Sequence, residues 1–208
     1  DIPAARFQAR DAAARPVNEA LRKLPTRQVF LGNGMYPNDA NARQFGMTRP
    51  ELAQLFWDGI NIDYDQLQAT GQSLRRRLAS GRQVHLTNPN GTDLRFSVAG
   101  RDPGVSDGVI SDQDMHRFAT RNVYLPAGEV YVTIVPGSGE GRITTPEYWW
   151  EGSKVDGLAL VIQKGRVTSL TAKGGGERIK QLFHAAGSGK DLLSVLDLGI
   201  NPNVRPPA

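Results

Sequence analysis

Tyr124-Leu125-Pro126-Ala127-Gly128-Glu129-Val130-Tyr131-Val132-Thr133-Ile134-Val135 is the stretch from which the rest of this chain can be read. Pro126-Ala127-Gly128 reads as a turn, and the six residues from Val130 to Val135 are all β-branched or aromatic, the composition of a largely buried strand. Glu129 stands at the mouth of that run. A carboxylate at the entrance of a buried strand is costly unless a cation or hydrogen-bond donors meet it. On spacing alone the first reading is an edge glutamate in water; a site carboxylate is the alternative.

Outward from this stretch, the hydrophobic period changes along the chain. Downstream, Leu158–Ile162 and Val167–Thr171 flank Lys164-Gly165 and predict a tight hairpin. Gly174-Gly175-Gly176 leads into a helix over 177–186, and Leu192–Leu198 is apolar before the turn Gly199-Ile200-Asn201-Pro202. Upstream, Val84 and Leu86, then Leu94, Phe96 and Val98, alternate with polar residues across Asn88-Pro89-Asn90-Gly91-Thr92-Asp93, a second hairpin with one buried face. The 100–122 segment is polar and reads as a long loop.

Before residue 82 the period is helical. Tyr64, Leu67, Gly71, Leu74 and Leu78 share one helix face, with Gly81 as its stop. Thr48 with Glu51 three residues on, and Pro50 in the first turn, is a capping box ahead of Leu52, Leu55 and Phe56. Gln28–Leu31 is a short strand, Gly32–Asp39 a loop, and Pro16 opens a helix that ends near Leu24. The fold class is therefore α+β, with a helical part over about 1–81 and a β-rich part with hairpins over about 82–208.

Composition bounds the function classes. The 208 residues are 39% hydrophobic and 22% charged, with a net charge of +4, ordinary for a globular chain. The one dense basic cluster, Arg75-Arg76-Arg77, falls on the 64–80 helix and reads as a solvated face, so no nucleic-acid partner is expected. No apolar run reaches the length of a membrane span, so no membrane partner is expected. The chain has no cysteine, which removes disulfides, thiolate metal sites and cysteine nucleophiles together. Its three histidines, His85, His116 and His184, make no metal-binding pair in sequence. There is no Gly-x-Ser-x-Gly elbow. Gly187-Ser188-Gly189-Lys190 fails the phosphate-loop pattern, because His184 stands where its first glycine belongs. Asp112 and Asp114 lack the downstream residues of a calcium loop. Tyr148, Trp149 and Trp150 read first as core aromatics, with the lining of a cleft as the alternative.

Five segments in order carry a resemblance: Phe45-Gly46-Met47-Thr48-Arg49-Pro50-Glu51-Leu52, the run Leu55–Tyr64, Asn90-Gly91-Thr92-Asp93-Leu94-Arg95-Phe96-Ser97, Leu125-Pro126-Ala127-Gly128-Glu129-Val130-Tyr131, and Leu198-Gly199-Ile200-Asn201-Pro202. Together they resemble the thermophilic metallo-aminopeptidases, the aminopeptidase T and aminopeptidase S family. The resemblance implies a bacterial hydrolase that removes N-terminal residues from peptides through metal-activated water. It also implies a divalent metal (zinc, cobalt or magnesium) and a homodimer. Glu129 matches the family's first metal-binding glutamate. The family's second ligand glutamate falls at Val195, which cannot bind metal; Asp197, two residues on, would face the same side of a strand and is the candidate substitute. Members are about twice this length, so the resemblance implies that this chain corresponds to a central portion of the family. Residues 1–81 would then be the end of an α/β N-terminal domain, and residues 82–208 an incomplete part of the catalytic domain. A non-catalytic relative that keeps the fold and binds peptides or a partner is the alternative. The compartment stays open between cytoplasmic and exported.

Overall fold

A computed structural model describes residues 4–116, 120–150 and 153–205, with the side chains of residues 4, 5, 7, 8 and 150 outside that description. The helices are α1 (Ala4–Lys23), α2 (Asp39–Gln44), α3 (Arg49–Ile60), α4 (Tyr64–Ser80) and α5 (Glu177–Ala185). The strands are β1 (Gln28–Leu31), β2 (Gln83–Asn88), β3 (Thr92–Ser97), β4 (Gly104–Ser106), β5 (Asn122–Leu125), β6 (Glu129–Thr133), β7 (Glu140–Trp150), β8 (Ser153–Gln163), β9 (Arg166–Thr171) and β10 (Val195–Gly199). Helices come first and strands after, as the change of period implies.

The strands form three sheets. β2-β3-β7-β8-β9 is an antiparallel meander, β10-β6-β4 is a smaller antiparallel sheet with β6 at its centre, and β1 pairs with β5 in parallel. The main core closes where the first two sheets meet. Leu94, Phe96 and Val98 beside β3, Ile162 of β8, and Val130, Val132 and Ile134 along β6 are buried together, and Leu78 of α4 packs among them. Burial of each such side chain stabilises the fold by about 1.5–3 kcal/mol.

β6 departs from the sequence reading. Val130 and Val132 are buried, but Tyr131 keeps 43% of its surface exposed and Thr133 is exposed too. The strand is buried on one face only, because among the described residues the core covers its even-numbered side and nothing covers the other. A run of β-branched and aromatic residues satisfies a half-buried strand as well as a buried one.

The local start and stop signals act where they stand. Thr48 Oγ1 accepts from the Glu51 amide while Glu51 Oε2 accepts from the Thr48 amide at 2.7 Å, completing the capping box of α3. Asp63 caps α4, and Gly81 ends it. His85 lies on the outer face of β2 with Asp93 Oδ1 at 2.8 Å.

Four further expectations change. α1 runs from Ala4 through Pro16 rather than starting there; the alanines at 12–14 are strong helix formers, and the helix is exposed along most of its length. α2 begins at Asp39 under an Asn38 cap, at the end of the expected loop. The 100–122 segment contains β4, because Gly104–Ser106 pairs with β6 across that loop. Tyr148 and Trp149 lie on the long β7–β8 hairpin, 39% and 36% exposed; the Trp149 ring covers Gly46 instead of entering the core. The Trp150 side chain lies outside the described residues.

Candidate functional site

Glu129 opens β6, with Ser106 of β4 opposite on one side and Gly199 of β10 opposite on the other. Asp197 pairs with Tyr131, one side-chain step along the same face. The odd-numbered residues of β6 and β10 all point to the open face of this sheet, so Glu129 and Asp197 are diagonal neighbours there, near enough for each carboxyl to feel the other's charge. Val195 pairs with Thr133, at the far end of β6 from Glu129. The register therefore brings Asp197 to Glu129 and leaves Val195, where the family glutamate falls, away from it.

The backbone beneath the pair is tightly fixed. The Leu125–Pro126 peptide is cis. Gly128, at φ +126°, passes so close to Asn201 that an added Cβ would lie 2.7 Å from the Asn201 Cβ and 2.9 Å from its amide nitrogen. Asn201 Nδ2 donates to the Ala127 carbonyl at 2.7 Å and to the Gly59 carbonyl at 2.9 Å, tying the turn before Glu129 to the end of α3. The Gly128 amide donates to Ser106 O, and the Ile200 amide to Gly128 O. Glu129 is thus held from both neighbouring strands. The Gly-x-Asn-Pro segment was visible in sequence, but the clamp made by Asn201 was not, because its acceptors lie 74 and 142 residues away.

Tyr131 was also missed as a site neighbour. Its ring lies directly over Gly104 of β4, where any Cβ would collide with it. The other flank is open: a Cβ on Gly199 would meet nothing within 4 Å. The carboxyl pair therefore has an aromatic wall on one side and free space on the other.

The electrostatics follow from the geometry. Partial burial pushes the Glu129 carboxyl above its usual range, and the nearby Asp197 carboxylate pushes in the same direction. Two neighbouring carboxyls hold a shared proton or a cation more readily than two negative charges. Oxygen donors of this kind suit a hard divalent cation, so the pair fits part of a metal shell. Among the described residues, no group of three or more His, Cys, Asp or Glu side chains comes together to complete one.

No family model matches the chain, and comparison with curated proteins gives no match. Solved structures do resemble it. Wild-type AmpT from Thermus thermophilus aligns over 95% of this chain with a TM-score of 0.57 and 18% identity. The 2,5-dihydroxypyridine dioxygenase from Pseudomonas putida KT2440 aligns over 93% with a TM-score of 0.59 and 12% identity. At those identities the likeness is one of fold. The chain spans 51% and 56% of the lengths of these two proteins. The chain therefore shares its fold with both AmpT and the dioxygenase, and no helix among the described residues is long and apolar enough to cross a membrane.

Proposed function

We propose that this chain is the metal-binding core of an aminopeptidase-like metallohydrolase, with Glu129 and Asp197 as two carboxylate ligands of a divalent cation. The single observation that carries the reading is the meeting of these two carboxyls on the open face of the β10-β6-β4 sheet. The fold likeness to AmpT, together with the dissimilar chemistry named for the dioxygenase, supports the scaffold rather than the reaction. The Pro-x-Gly-Glu-Val and Gly-x-Asn-Pro segments support the hydrolase direction, because Asn201 and Gly128 fix Glu129.

In this reading Glu129 and Asp197 hold the cation, and Asn201 fixes the turn from which Glu129 projects. Tyr131 shields one flank from water, and the peptide approaches over Gly199. When bound, a magnesium, cobalt or zinc ion supplies Lewis acidity to a peptide carbonyl and lowers the pKa of a coordinated water. Residues 82–208 supply this part of the catalytic domain, residues 1–81 the end of a preceding domain, and a homodimer encloses the site.

A second reading, a non-catalytic relative that binds peptides or a partner, is favoured by the two-carboxylate shell, since no third ligand joins it among the described residues. Metal titration calorimetry separates the two. EDTA-treated protein is titrated with magnesium, cobalt and zinc, and leucine p-nitroanilide hydrolysis is followed with each. The metallohydrolase reading expects saturable binding that Glu129→Gln and Asp197→Asn each weaken by more than about tenfold, with hydrolysis lost in both. Unchanged metal affinity in Asp197→Asn would remove Asp197 from the site. Metal binding without hydrolysis would favour the second reading.

A further inference from the structure

At the far end of β6 from Glu129 lies a cleft of about 260 Å³. Ile134, Leu192 and Leu193 supply apolar walls, Thr133 and Ser194 stand at it with hydroxyls, and among the described residues Arg101 is the one ionisable residue that lines it. The volume falls just below the range of drug-sized pockets, about 300–1,000 Å³, and suits a ligand the size of one amino acid.

The backbone around the cleft is already paired. The Ile134 amide donates to Ser194 O, the Leu193 amide to Gly165 O, and the Gly165 amide to Gly139 O. Arg101 is different: its Nε is buried with no hydrogen-bond partner among the described residues. Other arginines of the chain have found theirs. Arg75 reaches Asp102 and the Pro103 carbonyl, Arg166 reaches Asp191, and Arg27 reaches Asp112. A guanidinium without a partner in the chain is costly where it is buried, and its terminal nitrogens are matched best by a planar anion that accepts two parallel hydrogen bonds. Among the described residues, no carboxylate lines the cleft to do this from within the chain.

We propose that this cleft binds the carboxylate of a ligand with a short apolar stem, as at the C-terminus of a peptide ending in leucine, isoleucine or valine. Arg101 takes the carboxylate, and Ile134, Leu192 and Leu193 take the stem. Thr133 lies four residues along β6 from Glu129, roughly 13 Å at ~3.3 Å per residue. A peptide held here at its C-terminus would run along the open face of the sheet. The site does not depend on metal at Glu129, and its test uses a blocked amino acid with no free N-terminus, so failure of one reading leaves the other standing.

The experiment is an amide-resolved NMR titration of the full chain with N-acetyl-L-leucine. It is repeated with N-acetyl-L-leucinamide, which has the same stem and no carboxylate, and with inorganic phosphate. The proposal expects saturable shifts at the Gly137, Gly165 and Ser194 amides. It expects affinity about tenfold or more weaker for the amide analogue and for phosphate, and a similar loss in Arg101→Gln. Equal binding of the leucinamide would make the cleft a plain apolar groove and overturn the proposal. So would equal or tighter phosphate binding, binding retained in a folded Arg101→Gln, or no shift at these amides. If Arg101→Gln does not fold, the comparison of the two leucine derivatives on the unaltered chain decides.

Discussion

Asp197 of β10 stands one side-chain step from Glu129 on the open face of the β10-β6-β4 sheet, diagonal to it across the β6–β10 pairing, and its charge raises the Glu129 pKa. They are 68 positions apart in sequence, and both sit beside turns that lock their strands together. Gly128 and Asn201 touch directly beneath them. The predictions that follow turn on this arrangement and on the core that supports it.

The pH dependence of stability has a definite sign. Glu129 titrates above its ordinary value of 4.5 in the fold, because burial and Asp197 favour its protonated form. Between that ordinary value and the raised one, the folded chain holds a proton that the unfolded chain has released. The stability contributed by this group is therefore greatest in acid and falls as pH rises through the interval. Thermal melts in EDTA at a series of pH values should show this decline, and Glu129→Gln should flatten it. A decline identical in the variant would assign the effect elsewhere.

Divalent metal should reverse that slope. Carboxylate ligands must lose their protons to bind a cation, so metal affinity rises with pH. With saturating magnesium or cobalt, the melting temperature should increase over the interval where it falls in EDTA. Melts that superimpose with and without metal at every pH would argue against a cation at Glu129 and Asp197.

Gly128→Ala should be harmful out of proportion to its size. The residue sits at φ +126°, where a side chain is strained, and the new methyl would press on Asn201. A loss of roughly 2–4 kcal/mol is expected in urea unfolding, from backbone strain and overpacking together. Cleavage of the Asn201 clamp alone, by Asn201→Ala, should cost less stability and should still loosen Glu129. A near-neutral Gly128→Ala would mean the turn is not as closely seated.

Phe96 tests the core. It is 1% exposed, where the two antiparallel sheets meet. Phe96→Ala should lower unfolding free energy by about 3–5 kcal/mol. Thr48→Ala, which removes one half of the α3 capping box on the surface, should cost only about 1 kcal/mol. Comparable losses for the two would contradict the placement of the core.

Much of the architecture was legible locally. The capping box at Thr48 and Glu51, the 64–80 helix, and the hairpins on either side of Asn90 and Lys164 depend on residues within a few positions of one another, and each formed where its pattern lay. The misreadings share one cause. Whether β6 is buried on one face or two, whether Trp149 enters the core or rests on Gly46, and whether residues 104–106 form a strand all depend on distant partners. Period and composition carry no information about which layer will lie above a strand.

The sequence by itself determined the α+β class, the order of its elements, and the placement of Glu129 at the entrance of β6, because backbone propensity and hydrophobic period act over short range. It also placed Val195 and Asp197 on one face, since side chains alternate along any strand. Only the tertiary structure set their distances from Glu129: the register of β10 against β6 brings Asp197 beside Glu129 and carries Val195 to Thr133. It alone left Arg101 Nε buried and unmatched among the described residues, since a group's desolvation is set by the segments that fold over it. Register and burial are long-range properties, fixed when the apolar faces of separate strands close on a common core.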